Sequence, residues 1–288
     1  MSMAKVKDGC TISRVDGTGS APAVATMNEH SRRARPAMSY CNGSSRVPGS
    51  LPDEQDLVER LVPPEVSVVV GSPDASSAPL FAEEEAAVAN ALETRRREFS
   101  IGRTYAREAI RNLGREAGPI PVRTDRGPAW PESVVGAITH TAGLVAAAVA
   151  WEEQIAGIGI DAESRDRPLK DSVDRFIRTD AERARMRLPR ELDPLRLAFS
   201  AKESVHKCVA PISGITLGFH DVELDFDLVA NSFRARLVGR ADARLPDFHR
   251  LVGRFAVTSR FVITSAVIEV TTHPTPDRRS AHDARRFC

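Results

Sequence analysis

Two carboxylates, Asp161 and Glu163, close an apolar run, and a Lys-Glu-x-x-x-Lys segment, Lys202 to Lys207, follows further along the chain. The run Gly157-Ile158-Gly159-Ile160-Asp161-Ala162-Glu163 reads as a buried strand, because β-branched residues alternate with glycine. Residues two apart in a strand share a face, so both acids project together from its end, about 7 Å apart. Neighbouring acids repel unless a positive charge lies between them, and a hard divalent cation suits such a pair. A bare Asp-x-Glu is more often a solvated acidic turn, so a second signal is needed.

Phe199 to Val209 supplies it. Ser200 followed by Glu203 has the spacing of a capping box, which predicts a helix capped at Ser200. Glu203 and Lys207 at i,i+4 would make an ordinary surface ion pair on an exposed helix. Here Leu195, Leu197, Ala198 and Phe199 precede them and Val205 and Val209 flank them, which sets the turn partly inside, where a carboxylate needs a cation. The chemistry that such acids and lysines support is metal-assisted work on phosphates.

Basic residues cluster upstream. Nine arginines fall between Arg95 and Arg126, although the whole chain carries only +1. Arg103, Arg107, Arg111 and Arg115 recur at i,i+4 and form one stripe if the helix is continuous. Arg111 and Arg115 read as a solvated face, whereas Arg103 and Arg107, near Gly102, are the candidates for gripping a bound anion. Nucleic acid is the weaker use of the stripe, because Tyr and Trp total only four. His140 ends a predicted strand ahead of a small-residue turn, where a histidine is commonly structural but has donors for a phosphate.

These residues need elements to carry them. The chain has 288 residues, 42% of them hydrophobic and 27% charged, the composition of globular material with one large core or two modest ones. Its longest apolar stretch, Leu144 to Trp151, is too short to span a membrane, and Met1 to Arg35 lacks the apolar core of a signal peptide. Cys10, Cys41, Cys208 and Cys288 have no metal spacing and suit a reducing cytoplasm, so a cytoplasmic location is expected. Residues 1–51, rich in Ser, Gly, Pro and Arg, are expected to be disordered, as is the tail 271–288. Between them, strands are predicted at Val66–Val70, Val134–Thr139, Leu144–Trp151 and Ile155–Asp161. Helical patterns cover Phe81–Asn90, Arg95–Gly114, Val173–Arg187 and Leu195–Val209, and further strands follow at Val222–Phe226, Phe233–Leu237, Phe255–Thr258 and Phe261–Val270. The order strand, helix, strands occurs twice, which predicts an α+β chain of two similar halves, 52–154 and 155–270.

Read together, Arg95-Arg96-Arg97-Glu98-Phe99 with Arg103, Gly127-Pro128-Ala129-Trp130-Pro131, Ile138-Thr139-His140, Gly159-Ile160-Asp161-Ala162-Glu163 and Phe199-Ser200-Ala201-Lys202-Glu203 with Lys207 form an ordered set. The set resembles the EntD branch of the Sfp-type 4'-phosphopantetheinyl transferases over about Leu80 to Phe219. The resemblance implies a pseudo-symmetric two-half monomer, the 4'-phosphopantetheinyl transferase fold, with coenzyme A in the cleft between halves. It implies transfer of 4'-phosphopantetheine to a serine of acyl or peptidyl carrier proteins of fatty-acid, polyketide or nonribosomal-peptide synthesis, leaving 3',5'-ADP. Asp161, Glu163 and Glu203 would then ligate Mg²⁺, with Mn²⁺ also admissible, and Glu203 is a candidate acceptor of the serine proton. Lys207 and Lys202 would steady the phosphates, and Arg103, His140 and Arg126 would hold the nucleotide's phosphate groups. His206 stands where the family usually has an aromatic residue, and Thr139 where serine is common. Two other classes remain open from the residues alone: a Mg²⁺-dependent phosphohydrolase, and a non-catalytic module that docks carrier proteins.

Overall fold

The computed structural model describes residues 51–166, 168–238 and 248–270; the segments expected to be disordered lie outside these, apart from Leu51. The first half contains α1 (Pro52–Arg60), β1 (Ser67–Gly71), α2 (Ala82–Val88), α3 (Glu93–Asn112), β2 (Val134–Thr141) and β3 (Leu144–Trp151). The second contains β4 (Ile155–Ser164), α4 (Asp174–Ile177), α5 (Asp180–Arg185), α6 (Pro194–Ser213), β5 (Val222–Asp227), β6 (Ser232–Leu237), β7 (Val252–Val257) and β8 (Phe261–Glu269). The α+β expectation holds. Each half sets one 20-residue helix, α3 or α6, beside an antiparallel sheet. The sheet orders are β1-β3-β2 and β4-β8-β7-β6-β5.

Strand alternation distributes three cores. Val68 and Val70 of β1, with Leu144, Ala146, Ala148 and Ala150 of β3, pack on Ile158, Ile160 and Ala162 of β4 and on Phe261, Ile263 and Val267 of β8. This core lies between the sheets, where small alanines let β3 approach closely. Val69, Val145, Ala147 and Val149 turn the other way, onto Ile101, Tyr105, Ala106, Ala109 and Ile110 of α3. Val262, Ala266 and Ile268 of β8 turn likewise onto Val205, Cys208 and Val209 of α6. The layers therefore run helix, sheet, sheet, helix, joined by a two-sided apolar interior.

Helix α1 was not foreseen from sequence, and it ties the halves together. The Gln55 side chain donates to the Val68 carbonyl at 2.8 Å and accepts from Val70 N–H at 2.7 Å, covering the free edge of β1. Glu54 pairs with Arg260 at 3.0 Å, and Ser265 of β8 donates to the Leu61 carbonyl at 2.5 Å.

The start of α6 departs from expectation. Asp193, in a left-handed conformation, caps the helix by accepting from Arg196 N–H, and Pro194 occupies its first turn. Ser200 is buried inside the helix, with its hydroxyl 2.9 Å from that of Thr264. The Ser200 to Glu203 spacing is thus not a capping box, and Glu203 lies in the third turn. Helix α3 runs without a break through Gly102 and gives way to Gly114 at φ 82°, a left-handed position that suits glycine. The predicted 173–187 helical region is α4 and α5 separated by an extended Arg178.

The α6 backbone lies directly on β4 at Gly157 and Gly159. A Cβ on Gly157 would stand 2.8 Å from the Cys208 carbonyl oxygen, and one on Gly159 would collide with the Ser204 carbonyl oxygen. Gly159→Ala is expected to destabilise the fold by about 3 kcal/mol, since backbone cannot yield as a side chain can; thermal unfolding measures this, and an unchanged melting temperature would refute it.

Glu223 on β5 accepts from Arg185 at 2.9 Å and Thr179 at 3.1 Å and also from Arg236, fastening α5 to the sheet. These hydrogen bonds, the Arg185 one foremost, hold its carboxyl below the usual glutamate range. A depressed folded-state pKa contributes stability above the unfolded value and loses it as pH falls through the folded value. Glu223→Gln should therefore lower the melting temperature at pH 7, with the gap closing as acid titrates the wild-type carboxylate below about pH 4.

Candidate active site

Between the halves lies a cleft of about 770 Å³. The first half contributes Arg95 and Glu98 of α3, the turn carrying Asp125 and Arg126, and β2 from Gly136 to Thr141; the second contributes Glu163 of β4 and Glu203, His206 and Lys207 of α6. Three observations about strand and helix geometry put these groups together. Gly157 and Gly159 face α6, so Asp161 and Glu163, at the same alternation, continue along that face. Glu203, His206, Lys207 and Ala210 recur at helical spacing and present one side of α6 to the cleft. Thr139 of β2 reaches across to β4, donating to Asp161 Oδ1 at 3.2 Å and accepting from Ala162 N–H at 3.2 Å.

Asp161 is 1% exposed. Lys207 Nζ donates to its Oδ1 at 2.7 Å and to the Ile160 carbonyl at 3.2 Å. The other oxygen, Oδ2, is buried and has no hydrogen-bond partner among the described residues. A carboxylate oxygen in that state is costly unless a cation completes it. Glu163 and Glu203 are half-buried on the cleft wall. Among the described residues no three His, Cys, Asp or Glu side chains converge tightly enough to hold a metal by themselves. The buried Oδ2 is an oxygen donor of the kind a hard cation such as Mg²⁺ takes, one or two carboxylates being joined there by waters and substrate phosphate oxygens.

On the facing wall, Arg95 Nη1 lies 2.7 Å from His140 Nε2. Guanidinium only donates, so Nε2 accepts and the ring proton belongs on Nδ1. Nδ1 faces Glu98 Oε2 at 3.7 Å, and Arg95 itself lies 3.5 Å from the same oxygen. Arg126 sits in a tight turn at φ 69°, closed by Asp125 Oδ1 accepting from Gly127 N–H at 2.9 Å. His206 on α6 is half-buried on the cleft; desolvation, then the Lys207 charge, pushes its pKa below the ordinary value, with Asp125 opposing.

Several residues chosen from sequence are placed elsewhere. Lys202 is fully buried, its ammonium donating to the Ile177 and Phe219 carbonyls at 2.8 and 2.7 Å and to Glu182 Oε2 at 2.6 Å. Its neighbour in sequence, Glu203, faces the cleft, but one helical step of about 100° turns Lys202 into the core. Arg107 is 2% exposed, doubly bonded to Glu84 at 3.0 and 2.8 Å, and does not line the cleft. Arg103 is likewise buried, its Nε donating to the Ile120 carbonyl at 2.7 Å and its guanidinium 4.2 Å above the Phe99 ring; burial lowers its pKa to about 10. Arg103 and Arg107 point inward, whereas Arg111 is exposed beside Glu108 and Arg115, past the helix end at Asn112, donates to the Glu132 carbonyl, so these two keep the solvated positions expected of them. Arg95, which heads the Arg95 to Phe99 motif, and His206 line the cleft, although spacing alone does not single them out.

A family model described as the 4'-phosphopantetheinyl transferase N-terminal domain matches residues 83–150, and one for the 4'-phosphopantetheinyl transferase superfamily matches 157–260. The 4'-phosphopantetheinyl transferase Svp of Streptomyces mobaraensis is 39% identical over 209 residues, covering 68% of this chain and 82% of Svp. The chain belongs to the Sfp-type 4'-phosphopantetheinyl transferases. PptT of Mycobacterium tuberculosis is 34% identical over 65% of the chain and 85% of its own length, and Npt of Nocardia iowensis 32% over 63% and 86%. Membership gives the activity, transfer of 4'-phosphopantetheine from coenzyme A to carrier proteins, and coenzyme A as substrate. Among the described residues no helix is long and apolar enough to cross a membrane.

Because Lys202 is an internal cross-link, Lys202→Met strands the buried Glu182 carboxylate and should cost about 3 kcal/mol or more of stability. Coenzyme A affinity, measured calorimetrically on protein that remains folded, should stay within about twofold of wild type; a loss beyond tenfold would restore Lys202 as a phosphate contact.

Proposed function

We propose that coenzyme A lies in this cleft with its pyrophosphate at Asp161, Glu163, Glu203 and Lys207, and that the transfer depends on a divalent cation, Mg²⁺ or Mn²⁺. The observation that carries this reading is the buried, unpartnered Oδ2 of Asp161 beside a cleft that Glu163, Glu203 and Lys207 line. When bound, the cation neutralises charge on the pyrophosphate oxygens. The chain's own groups do the remaining work. Lys207 has three N–H bonds, two of them directed to Asp161 and Ile160, which leaves a third for a phosphate oxygen. Arg95 and Arg126 on the other wall offer charge and donors to the nucleotide's phosphates, and His140, whose Nε2 accepts from Arg95, positions that guanidinium.

In the transfer, the carrier-protein serine oxygen bonds to the phosphorus that bears pantetheine. The bond from that phosphorus to the bridging oxygen breaks, and its electron pair leaves on 3',5'-ADP. The serine proton passes to Glu203, the carboxylate that α6 brings to the cleft. Acyl or peptidyl carrier proteins are the partners in this reading. One chain supplies both walls, so a monomer suffices. Arg103 and Arg107, the two arginines singled out for gripping an anion, are held internally by the Ile120 carbonyl and by Glu84.

The test is intact mass of an apo carrier protein after incubation with the chain, coenzyme A and Mg²⁺. A gain of about 340 Da that EDTA abolishes is expected. Asp161→Ala and Glu203→Ala should each remove the gain while the protein stays folded; transfer that survived either substitution would overturn that residue's role.

A further inference from the structure

The helix face that borders the cleft changes character along its length. Glu203 and Lys207 are charged, whereas Ala210 and Pro211 beyond them, and Ile215 just past the end of the helix, are not, and all five line the same space. His206 sits at the change. Its Nδ1 is buried with no hydrogen-bond partner among the described residues, so Nε2 is the nitrogen left to meet a ligand. With nothing bonded to Nδ1, nothing in the protein fixes the tautomer, and Nε2 can either donate or accept. Nε2 is neither shut away like Nδ1 nor hydrogen-bonded among the described residues, so it is the ring atom that a polar group in the cleft can satisfy.

We infer that His206 Nε2 hydrogen-bonds a polar group of the pantetheine arm of coenzyme A and so acts as a specificity residue for that arm. The inference rests on the proposed placement of the pyrophosphate at Lys207 and Glu203. From there the arm offers first a hydroxyl and then amides, neutral groups of either hydrogen-bonding sense, flanked by methyls and methylenes that suit Ala210, Pro211 and Ile215. A neutral imidazole matches such groups, and burial together with the adjacent Lys207 charge favours the neutral ring. An apolar aromatic residue at this position would fill the same volume without the hydrogen bond.

The experiment compares calorimetric binding of coenzyme A and of 3',5'-ADP, which lacks the arm, to the full-length protein and to His206→Phe and His206→Gln, each checked for folding by circular dichroism. His206→Phe should weaken coenzyme A binding about five- to tenfold and leave 3',5'-ADP binding unchanged. His206→Gln, whose terminal amide reaches the Nε2 position, should recover most of the loss. Equal weakening of both ligands would move His206 to the nucleotide end and overturn the inference, as would unchanged coenzyme A binding in His206→Phe or failure of Gln to rescue. Wild-type protein that bound neither ligand would instead overturn the cleft as the coenzyme A site, and the inference with it.

Discussion

Everything in the site depends on how closely α6 lies against β4. Two helix carbonyls, those of Ser204 and Cys208, rest over Gly157 and Gly159, where any side chain would intrude. At that separation Lys207 spans from helix to strand and bonds Asp161 directly. A larger spacing would leave the strand's two acids and the helix's acid on unrelated surfaces. The glycines serve less as flexible points than as absent volume.

The layered arrangement then decides which charges meet the cleft. Sheets packed face to face bury one side of β4 against the first half and turn the other to α6, so alternation alone assigns Asp161 and Glu163 to the helix side. The cleft opens where β2 and β4 run side by side, linked by Thr139 and Thr141, whose hydroxyls accept from the Ala162 and Ser164 N–H groups. Both walls are thereby rigid elements, as preorganised phosphate chemistry requires. The loop Arg123 to Gly127 adds Arg126 from a turn whose geometry its own hydrogen bonds hold.

Charge inside the fold is spent on structure as well as on the site. Arg107 with Glu84 joins α3 to α2, and Glu84 also accepts from Ile120 N–H at 2.8 Å. Lys202 with Glu182 joins α6 to α5, and Glu182 also accepts from Leu224 N–H at 2.8 Å. Each is a buried pair whose remaining valences are met by backbone, the condition under which such pairs persist. They mark the two halves as parallel solutions to one problem, holding a long helix by a central cation and a short acidic helix.

Local pattern sufficed for much of this protein. Alternating apolar residues locate β1 to β8 to within a few residues, helical spacing locates α3 and α6, and type and spacing mark Asp161, Glu163, Glu203 and Lys207, which the fold brings to one region. Local pattern failed where the deciding interaction was distant. Ser200 looked like a cap because its partner, Thr264, lies 64 residues away. Arg103, Arg107 and Lys202 looked like phosphate ligands because their acceptors, Ile120, Glu84 and Glu182, are separated from them in sequence. Sequence periodicity says which residues share a face; only packing says whether that face meets solvent, a ligand or the core, because burial is a property of the neighbours a residue acquires and not of the residue itself.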